Sequence, residues 1–187
     1  MTDPGNYLTW ITTRAAGSAA LLLSSLSVCV GLLIGARILR RRGSAVDLRA
    51  LHETLSLATL GAIGLHGATL LVDGYFKPGL AGIAIPFAGS YRPFFTGVGI
   101  VAGYALAGLG LSYYLRDRIG AARWRRLHRF TALAWLLGVA HSLGSGTDAG
   151  RLWFLAMVAL AVVPVLVLLP SRLAAAGGRA TPAAQPD

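Results

Sequence analysis

Two stretches of this chain decide its fold, LHETLSLATLGAIGLHG at 51–67 and LHRFTALAWLLGVAHSLG at 127–144. They contain all four histidines of the 187 residues, His52 and His66 fourteen positions apart and His128 and His141 thirteen apart. Fourteen residues of α-helix rise about 21 Å and make nearly four turns, so His52 and His66 point the same way at opposite depths of one bilayer. A histidine in a membrane segment is costly and usually serves a function, so each of the four is a candidate site residue.

The composition is that of a membrane protein. Hydrophobic residues make up 55% of the chain and charged residues 13%, with a mean hydropathy of +0.64, whereas about 25% of residues are charged in soluble domains. We therefore predict an all-α integral membrane bundle of five transmembrane helices. The five apolar stretches are 15–39, 51–72, 94–115, 130–143 with its flanks, and 152–169. The fourth begins beside Arg126 and Arg129, whose charged ends can extend to the interface while their stems stay in lipid.

The formal net charge of +10 is distributed along the chain as the positive-inside rule requires. Thirteen of the seventeen basic residues fall on one side of the predicted bundle. This predicts an N-terminus outside and a C-terminus in the cytoplasm. We expect a multi-pass protein of a cell membrane, namely the cytoplasmic membrane of a bacterium. The pattern favours a lipid bilayer as the partner of the basic residues and argues against nucleic acid. The strongest basic cluster follows the first apolar stretch, so no cleaved signal peptide is expected.

Three parts of the chain are distinguished by composition. We predict a short outer segment at 1–14, the transmembrane domain at 15–171, and a disordered cytoplasmic tail at 172–187, which is rich in Ala, Gly and Pro. An outer loop at 73–93 contains three prolines and four glycines. The single cysteine, Cys29, excludes an intramolecular disulfide, a cysteine-ligated iron–sulfur cluster and a C-x-x-C-H attachment for covalent haem.

The predicted topology sorts the histidines into two layers. Helices two and four both run from inside to outside, so His52 and His128 lie near the inner face, and His66 and His141 lie toward the outer face. One imidazole from each of two facing helices is the axial ligand set of a b-type haem. Zinc normally takes three or four N, S or O ligands, which neither layer supplies. The pattern therefore predicts two non-covalent haems, one above the other.

The thirteen-residue interval between His128 and His141 does not fit a straight helix. Thirteen residues turn through about 1,300°, which leaves the two side chains about 140° apart around the axis. Either the fourth helix is kinked or overwound between them, for example near Gly138, or helix tilt lets the two haems be approached at different angles. We expect a distortion of the helix.

Glycines and hydroxyls near the histidines have two explanations each. Glycines can leave space for a flat macrocycle, or they can allow two helices to approach closely. The glycines beside the histidines, which can leave space for the macrocycle, are Gly61, Gly64, Gly67 and Gly138. The small-residue pairs that favour helix packing are Gly31 with Gly35 and Gly99 with Gly103. Ser56 and Thr59 share the stripe that joins His52 to His66, where they can orient ligands or, as we favour, bond back to the preceding helical turn.

The two histidine stretches, with the SYRP turn at 90–93 between them, resemble the ferric reductase-like transmembrane domain. This haem-b core is shared by ferric reductases, NADPH oxidases and the haem subunit of a bacterial methionine sulfoxide reductase system. The resemblance covers 7–169. It implies an inner haem held by His52 and His128 and an outer haem held by His66 and His141, with electrons passing outward from the cytoplasmic side.

The resemblance also implies roles for several arginines. Arg14 matches an arginine that the oxidase branch places beside the outer haem, and Tyr91 with Arg92 would reach the same haem from the outer loop. Arginine suits anionic haem propionates, although interfacial anchoring explains the same residues. The candidates for the inner propionates are Arg49, Arg125, Arg126 and Arg129, which also act as topology determinants.

Two features depart from the family. Trp135 lies one position later than the aromatic residue that the oxidase branch carries between its haems. No G-x-G-x-x-G follows a strand, and only about eighteen residues follow Leu169, where reductases and oxidases carry flavin and NADPH domains. We therefore expect an oxidoreductase component without catalytic side chains of its own, supplied by a separate flavoprotein or quinol and passing electrons to ferric iron, oxygen or a partner protein.

Two further functions are compatible with the sequence. One is a quinone-linked cytochrome b subunit of a larger redox complex, in which the loop with Tyr91 and Arg92 or the inner arginine cluster binds quinone. The other is a non-redox scaffold or small transporter whose histidines form interhelical hydrogen bonds. Lone histidines would favour the second function, whereas two pairs at matching depths favour haem ligation.

Overall fold

The computed structural model describes residues 4–36 and 44–177, and within these ranges all regular structure is helical. The all-α prediction is confirmed. A 3₁₀ turn at Ser112–Leu115 follows α4 directly. The helices are α1 (Pro4–Ala36), α2 (Ser44–Leu71), α3 (Gly79–Ala84), α4 (Pro93–Leu111), α5 (Arg116–Ile119), α6 (Ala121–His128), α7 (Thr131–Ser145) and α8 (Leu152–Gly177).

Within the described part of the chain, four helical segments are long and apolar enough to cross a membrane. They are Tyr7–Ala36, Val46–Leu71, Pro93–Ile119 and Leu152–Ser171. Large apolar side chains are exposed on their surface, for example Leu160 at 70% and Val167 at 67%, as lipid contact requires. The chain is therefore a multi-pass membrane protein. By itself, α7 has 15 residues and a length of about 22 Å, short of the hydrocarbon thickness of about 30 Å.

Several boundaries differ from those predicted. Helix α1 begins at Pro4, so most of the outer segment 1–14 forms its first turns. Residues 172–177 continue α8, and the remaining tail, 178–187, lies outside the described residues. Residues 37–43, which carry four arginines of the charge argument, also lie outside them. The outer loop contains the short helix α3.

The buried core lies between α1, α7 and α8. Helix α2 packs against α1, and α4 packs against α7, so that these two pairs of helices face each other. The core side chains are Leu21, Cys29, Trp135, Val139, Phe154, Val158, Ala161 and Val165.

The expected distortion of the fourth predicted helix occurs, but at a different place. Arg129 and Phe130 interrupt the helix between α6 and α7, directly after His128. Two i to i+3 backbone hydrogen bonds, of 3.0 Å from the amide of Phe130 and 3.3 Å from that of Ala132, cross the break. Such 3₁₀ bonds wind the chain by about 120° per residue instead of about 100°, which supplies part of the missing rotation. The expected position near Gly138 is wrong, because α7 is continuous there.

Candidate functional site

The four histidine side chains meet in two pairs between the helices. The ring centroids of His52 and His128 are 6.1 Å apart, with their planes at 87°. Those of His66 and His141 are 6.3 Å apart, with their planes at 75°. These are the pairs predicted from the sequence. The arrangement requires α2 and the segment α6–α7 to run in the same direction.

Three of the four imidazoles make the same hydrogen bond, from Nδ1 to a main-chain carbonyl oxygen of a neighbouring helix. A carbonyl can only accept, so Nδ1 carries the proton, and Nε2 of the neutral ring keeps a free lone pair. Among the described residues no hydrogen bond uses Nε2 of these rings. This is the orientation of metal-ligating histidines whose outer nitrogen is fixed by a second group. The three bonds, each of 2.9 Å, join His52 to Ser27, His66 to Thr13 and His141 to Phe95.

The separation of the rings fits one metal ion between the two members of each pair. An imidazole nitrogen binds a metal ion at about 2.0–2.1 Å, so two rings that shared one ion would have their centres about 6 Å apart. Within the described ranges, no three His, Cys, Asp or Glu side chains come together. Each pair therefore offers two imidazoles, fewer than the three or four N, S or O ligands that zinc normally takes.

A cavity of about 770 Å³ adjoins one of the two pairs. Its walls come mainly from α1, α2, α4, α7 and the outer loop, and they include His66 and His141 but neither His52 nor His128. This volume lies within the range of about 300–1,000 Å³ that is usual for ligand and cofactor sites. The His66/His141 pair therefore has a cavity of cofactor size beside it.

Glycines of α2 and α7 face this space. Gly64, Gly67 and Gly138 line the cavity, and a methyl group at any of them would meet no protein atom within 4 Å. A methyl at Gly103 of α4 would lie 3.5 Å from the Ile63 side chain, an ordinary packing contact. All four glycines border the cavity, and Gly103 also packs against the Ile63 side chain.

A second set of glycines lies against the histidines themselves. A methyl at Gly17 or Gly31 would approach an imidazole to 3.1 or 3.2 Å, and one at Gly99 would overlap the ring. The sequence patterns did not identify Gly17, and they favoured helix packing for Gly31 and Gly99. The available signal was the spacing, since Gly17 and Gly31 are fourteen residues apart, as His52 and His66 are. The contacts are Gly17 with His66, Gly31 with His52, and Gly99 with His141.

No family model, curated protein or solved structure matches this chain. The resemblance to the ferric reductase-like domain stays a prediction, which rests on the histidine spacing. Function is therefore argued from the geometry of the two pairs.

Arg14 lies beside the cavity, as predicted for a residue near the outer histidines. It directly follows Thr13, whose carbonyl accepts from His66, and its side chain is part of the cavity wall. The guanidinium forms an ion pair with Asp148 and lies 4.1 Å from the centre of the Trp10 ring. Asp148 is a further residue of this site that the sequence analysis did not identify.

Arg92 is placed differently. Its Nη1 donates to the carbonyl oxygen of Gly144 at 2.6 Å, and its backbone has a φ of 41°. It is not among the residues that line the cavity, whereas the neighbouring Tyr91 is, with its hydroxyl donating to the carbonyl of Ser145 at 3.3 Å. The main contact of Arg92 therefore ties the outer loop to the end of α7.

The hydroxyl groups on α2 bond back to their own helix, as favoured. Ser56 donates to the carbonyl of His52 at 2.7 Å, and Thr59 donates to that of Leu55 at 2.8 Å. Trp135 is buried, and its indole N–H donates to the Ser25 hydroxyl at 2.8 Å. The candidates for the inner propionates, Arg49, Arg125, Arg126 and Arg129, are all exposed.

Proposed function

We propose that this chain is a membrane di-haem b protein that relays electrons across the bilayer. The observation that carries the proposal is the geometry of the two histidine pairs, with ring centroids 6.1 and 6.3 Å apart. His52 and His128 would hold one haem, and His66 and His141 the other. When bound, each haem supplies one-electron redox chemistry.

The residues of the chain hold and orient these groups. The Nδ1 hydrogen bonds to carbonyl oxygens fix the ring planes of three ligands and make their Nε2 atoms more basic. Two histidines per iron leave no open coordination position, so the arrangement favours electron transfer over binding of a substrate at the metal. The apolar helices would keep water away from the haems, and this apolar environment contributes to the reduction potentials of the haems.

The proposed topology has five crossings, with α6 and α7 together forming the fourth. Residues 121–145 of this segment reach about 37 Å in helical conformation, enough to span the bilayer. The positive-inside rule places the N-terminus outside and the C-terminus in the cytoplasm. His52 and His128 would then form the inner site, supplied by a separate flavoprotein or quinol. The outer site, His66 with His141, would pass electrons to ferric iron or oxygen.

Arg14 is the better candidate of the two outer arginines for a haem carboxylate. It lines the cavity beside His66, and its charge suits a propionate. Asp148 already pairs with it, so a propionate would share or replace that partner. The Arg92 guanidinium is engaged by the carbonyl of Gly144 instead.

One observation favours a non-redox alternative. The three hydrogen bonds from Nδ1 join neighbouring helices, as they would in a scaffold held by interhelical histidines. These bonds explain only one nitrogen of each ring. They leave unexplained why the histidines also face each other in pairs at the separation of two ligands on one iron. The quinone-linked alternative uses the same four histidines and adds a quinone site, at the loop with Tyr91 and Arg92 or at the inner arginine cluster.

The proposal is tested with protein purified after expression with ample haem. We expect reduced-minus-oxidised spectra of b type and a pyridine haemochromogen assay of two haems per chain. The nearly perpendicular ring planes should give highly anisotropic low-spin ferric signals in electron paramagnetic resonance. A variant with all four histidines replaced by alanine controls for unspecific haem. Absence of a b-type spectrum would overturn the proposal, and reduction by added quinol without a flavoprotein would identify quinol as the donor.

A further inference from the structure

Helices α1 and α4 hold imidazoles with a repeated local structure. In this carbonyl–glycine pocket, a main-chain carbonyl accepts from Nδ1, and a glycine one turn later lies against the ring. The glycine follows the acceptor by four residues, and the two acceptors on α1 are fourteen residues apart. The three complete pockets are Thr13 with Gly17, Ser27 with Gly31, and Phe95 with Gly99.

The fourth position of this pattern is altered. Fourteen residues after Phe95 comes Leu109, and four residues later stands Tyr113 where the pattern has glycine. Helix α4 ends at Leu111, and Tyr113 lies in the following 3₁₀ turn. The carbonyl of Leu109 still interacts with the His128 imidazole, but Nδ1 of His128 has no hydrogen-bond partner of ordinary geometry in the described part of the chain.

His128 is contacted instead by the indole of Trp124. The indole of Trp124, one turn earlier in α6, stacks on the imidazole with centroids 4.9 Å apart and planes at 26°. Tyr113 packs edge-on against the same indole at 5.8 Å. The guanidinium of Arg116 covers the Tyr113 ring at 4.2 Å. Tyr113, which stands where the other pockets have glycine, thus packs against Trp124, the residue that contacts His128 in place of a pocket.

We infer that Trp124 is the positioning residue of His128, in place of a carbonyl–glycine pocket. This inference rests on the proposed haem function. A stacked ring sets the plane of the imidazole but lets it slide and rotate within that plane, whereas a hydrogen bond also fixes its direction. His128 is therefore the most loosely held of the four ligands, and the His52/His128 pair admits an external ligand such as carbon monoxide before the other pair does.

The experiment compares three variants of the haem-loaded protein. Trp124→Ala removes the stack, Trp124→Phe keeps an aromatic ring, and Trp153→Ala is a matched control on α8, where the indole is 53% exposed. We expect Trp124→Ala to raise the carbon monoxide-reactive fraction of ferrous haem several-fold over wild type. Trp124→Phe should restore most of the wild-type spectrum, and Trp153→Ala should leave it unchanged. In a His66→Ala background, the remaining haem should show the same response to Trp124→Ala.

The outcomes separate the inference from the proposed function. Wild type without haem would overturn both. Wild type with two haems and a Trp124→Ala protein with the same carbon monoxide spectrum would overturn the inference alone. If Trp124→Ala does not fold, Trp124→Leu fills the space without a stacking ring. A wild-type spectrum of that variant would also overturn the inference, and an increased carbon monoxide response would support it.

Discussion

The two histidine pairs have nearly the same ring separation but different surroundings. In the His66/His141 pair, both rings donate to a carbonyl and lie against a glycine, and a cavity adjoins them. In the other pair, His52 is held in this way and His128 stacks on Trp124. The separation of two imidazole rings therefore does not reveal how firmly each ring is held. The residues that contact each imidazole decide how firmly it is held.

The difference arises at one end of an otherwise repeated unit. Helix α1 with α2, and α4 with α6–α7, each combine a helix of carbonyl acceptors with a helix of histidines. Three of the four carbonyl–glycine pockets in the two units are complete. The two units diverge where α4 ends at Leu111 and the chain continues as a 3₁₀ turn.

The strongest test of the comparison removes one pair. His66→Ala or His141→Ala should reduce the haem content to about half, because a haem with one remaining axial ligand is poorly retained. The haem held by His52 and His128 should persist. Pyridine haemochromogen assays and electron paramagnetic resonance of each variant measure this, with His52→Ala as the reciprocal case. Loss of the His52/His128 signal in His66→Ala protein would disprove the pairing.

A smaller, graded effect is expected from the glycines. Gly99→Ala should displace His141 and strongly lower occupancy of that site, because the methyl overlaps the ring. Gly31→Ala should weaken the His52 site less, since its methyl lies at a tight but tolerable 3.2 Å. Gly108→Ala is the control on α4, where no atom lies within 4 Å. Haem titration of the three proteins ranks them, and equal affinities for Gly99→Ala and Gly108→Ala would contradict the carbonyl–glycine pocket.

The smallest effect concerns the charge beside the cavity. Asp148→Asn leaves the Arg14 guanidinium without its partner. The uncompensated positive charge should raise the midpoint potential of the haem at His66 and His141, because it favours the electron-richer state. Loss of the partly buried pair should also cost about 1–2 kcal/mol of stability. Redox titration and thermal unfolding measure the two effects, with the exposed Asp117→Asn as control. A shift in midpoint potential confined to the haem at His52 and His128 would refute the placement of Arg14 and Asp148 beside the other haem.

The sequence predicted the helical fold, the pairing of the histidines and a distorted ligand helix. Periodicity supplied these, because the rotation per residue of an α-helix is known. The predicted position of the distortion, near Gly138, is wrong, because the break lies at Arg129 and Phe130. The 3₁₀ bonds there depend on how α6 meets α4, which spacing does not describe.

The glycine contacts show a similar limit. The spacing of Gly17 and Gly31 matches that of the histidines and was available in the sequence. That Gly31 and Gly99 contact imidazoles, and not the backbone of another helix, depends on the rotation of α1 and α4 about their axes.

The sequence by itself determined which residues share a depth and a helix face, because rise and rotation along a helix are local properties of the chain. It therefore determined two pairs of histidines and a membrane fold. Only the tertiary structure decided which neighbour holds each ring: a carbonyl for His52, His66 and His141, and an indole for His128. The physical reason is that hydrogen bonds and stacking between helices depend on packing at ångström accuracy, which residues far apart in the chain set together.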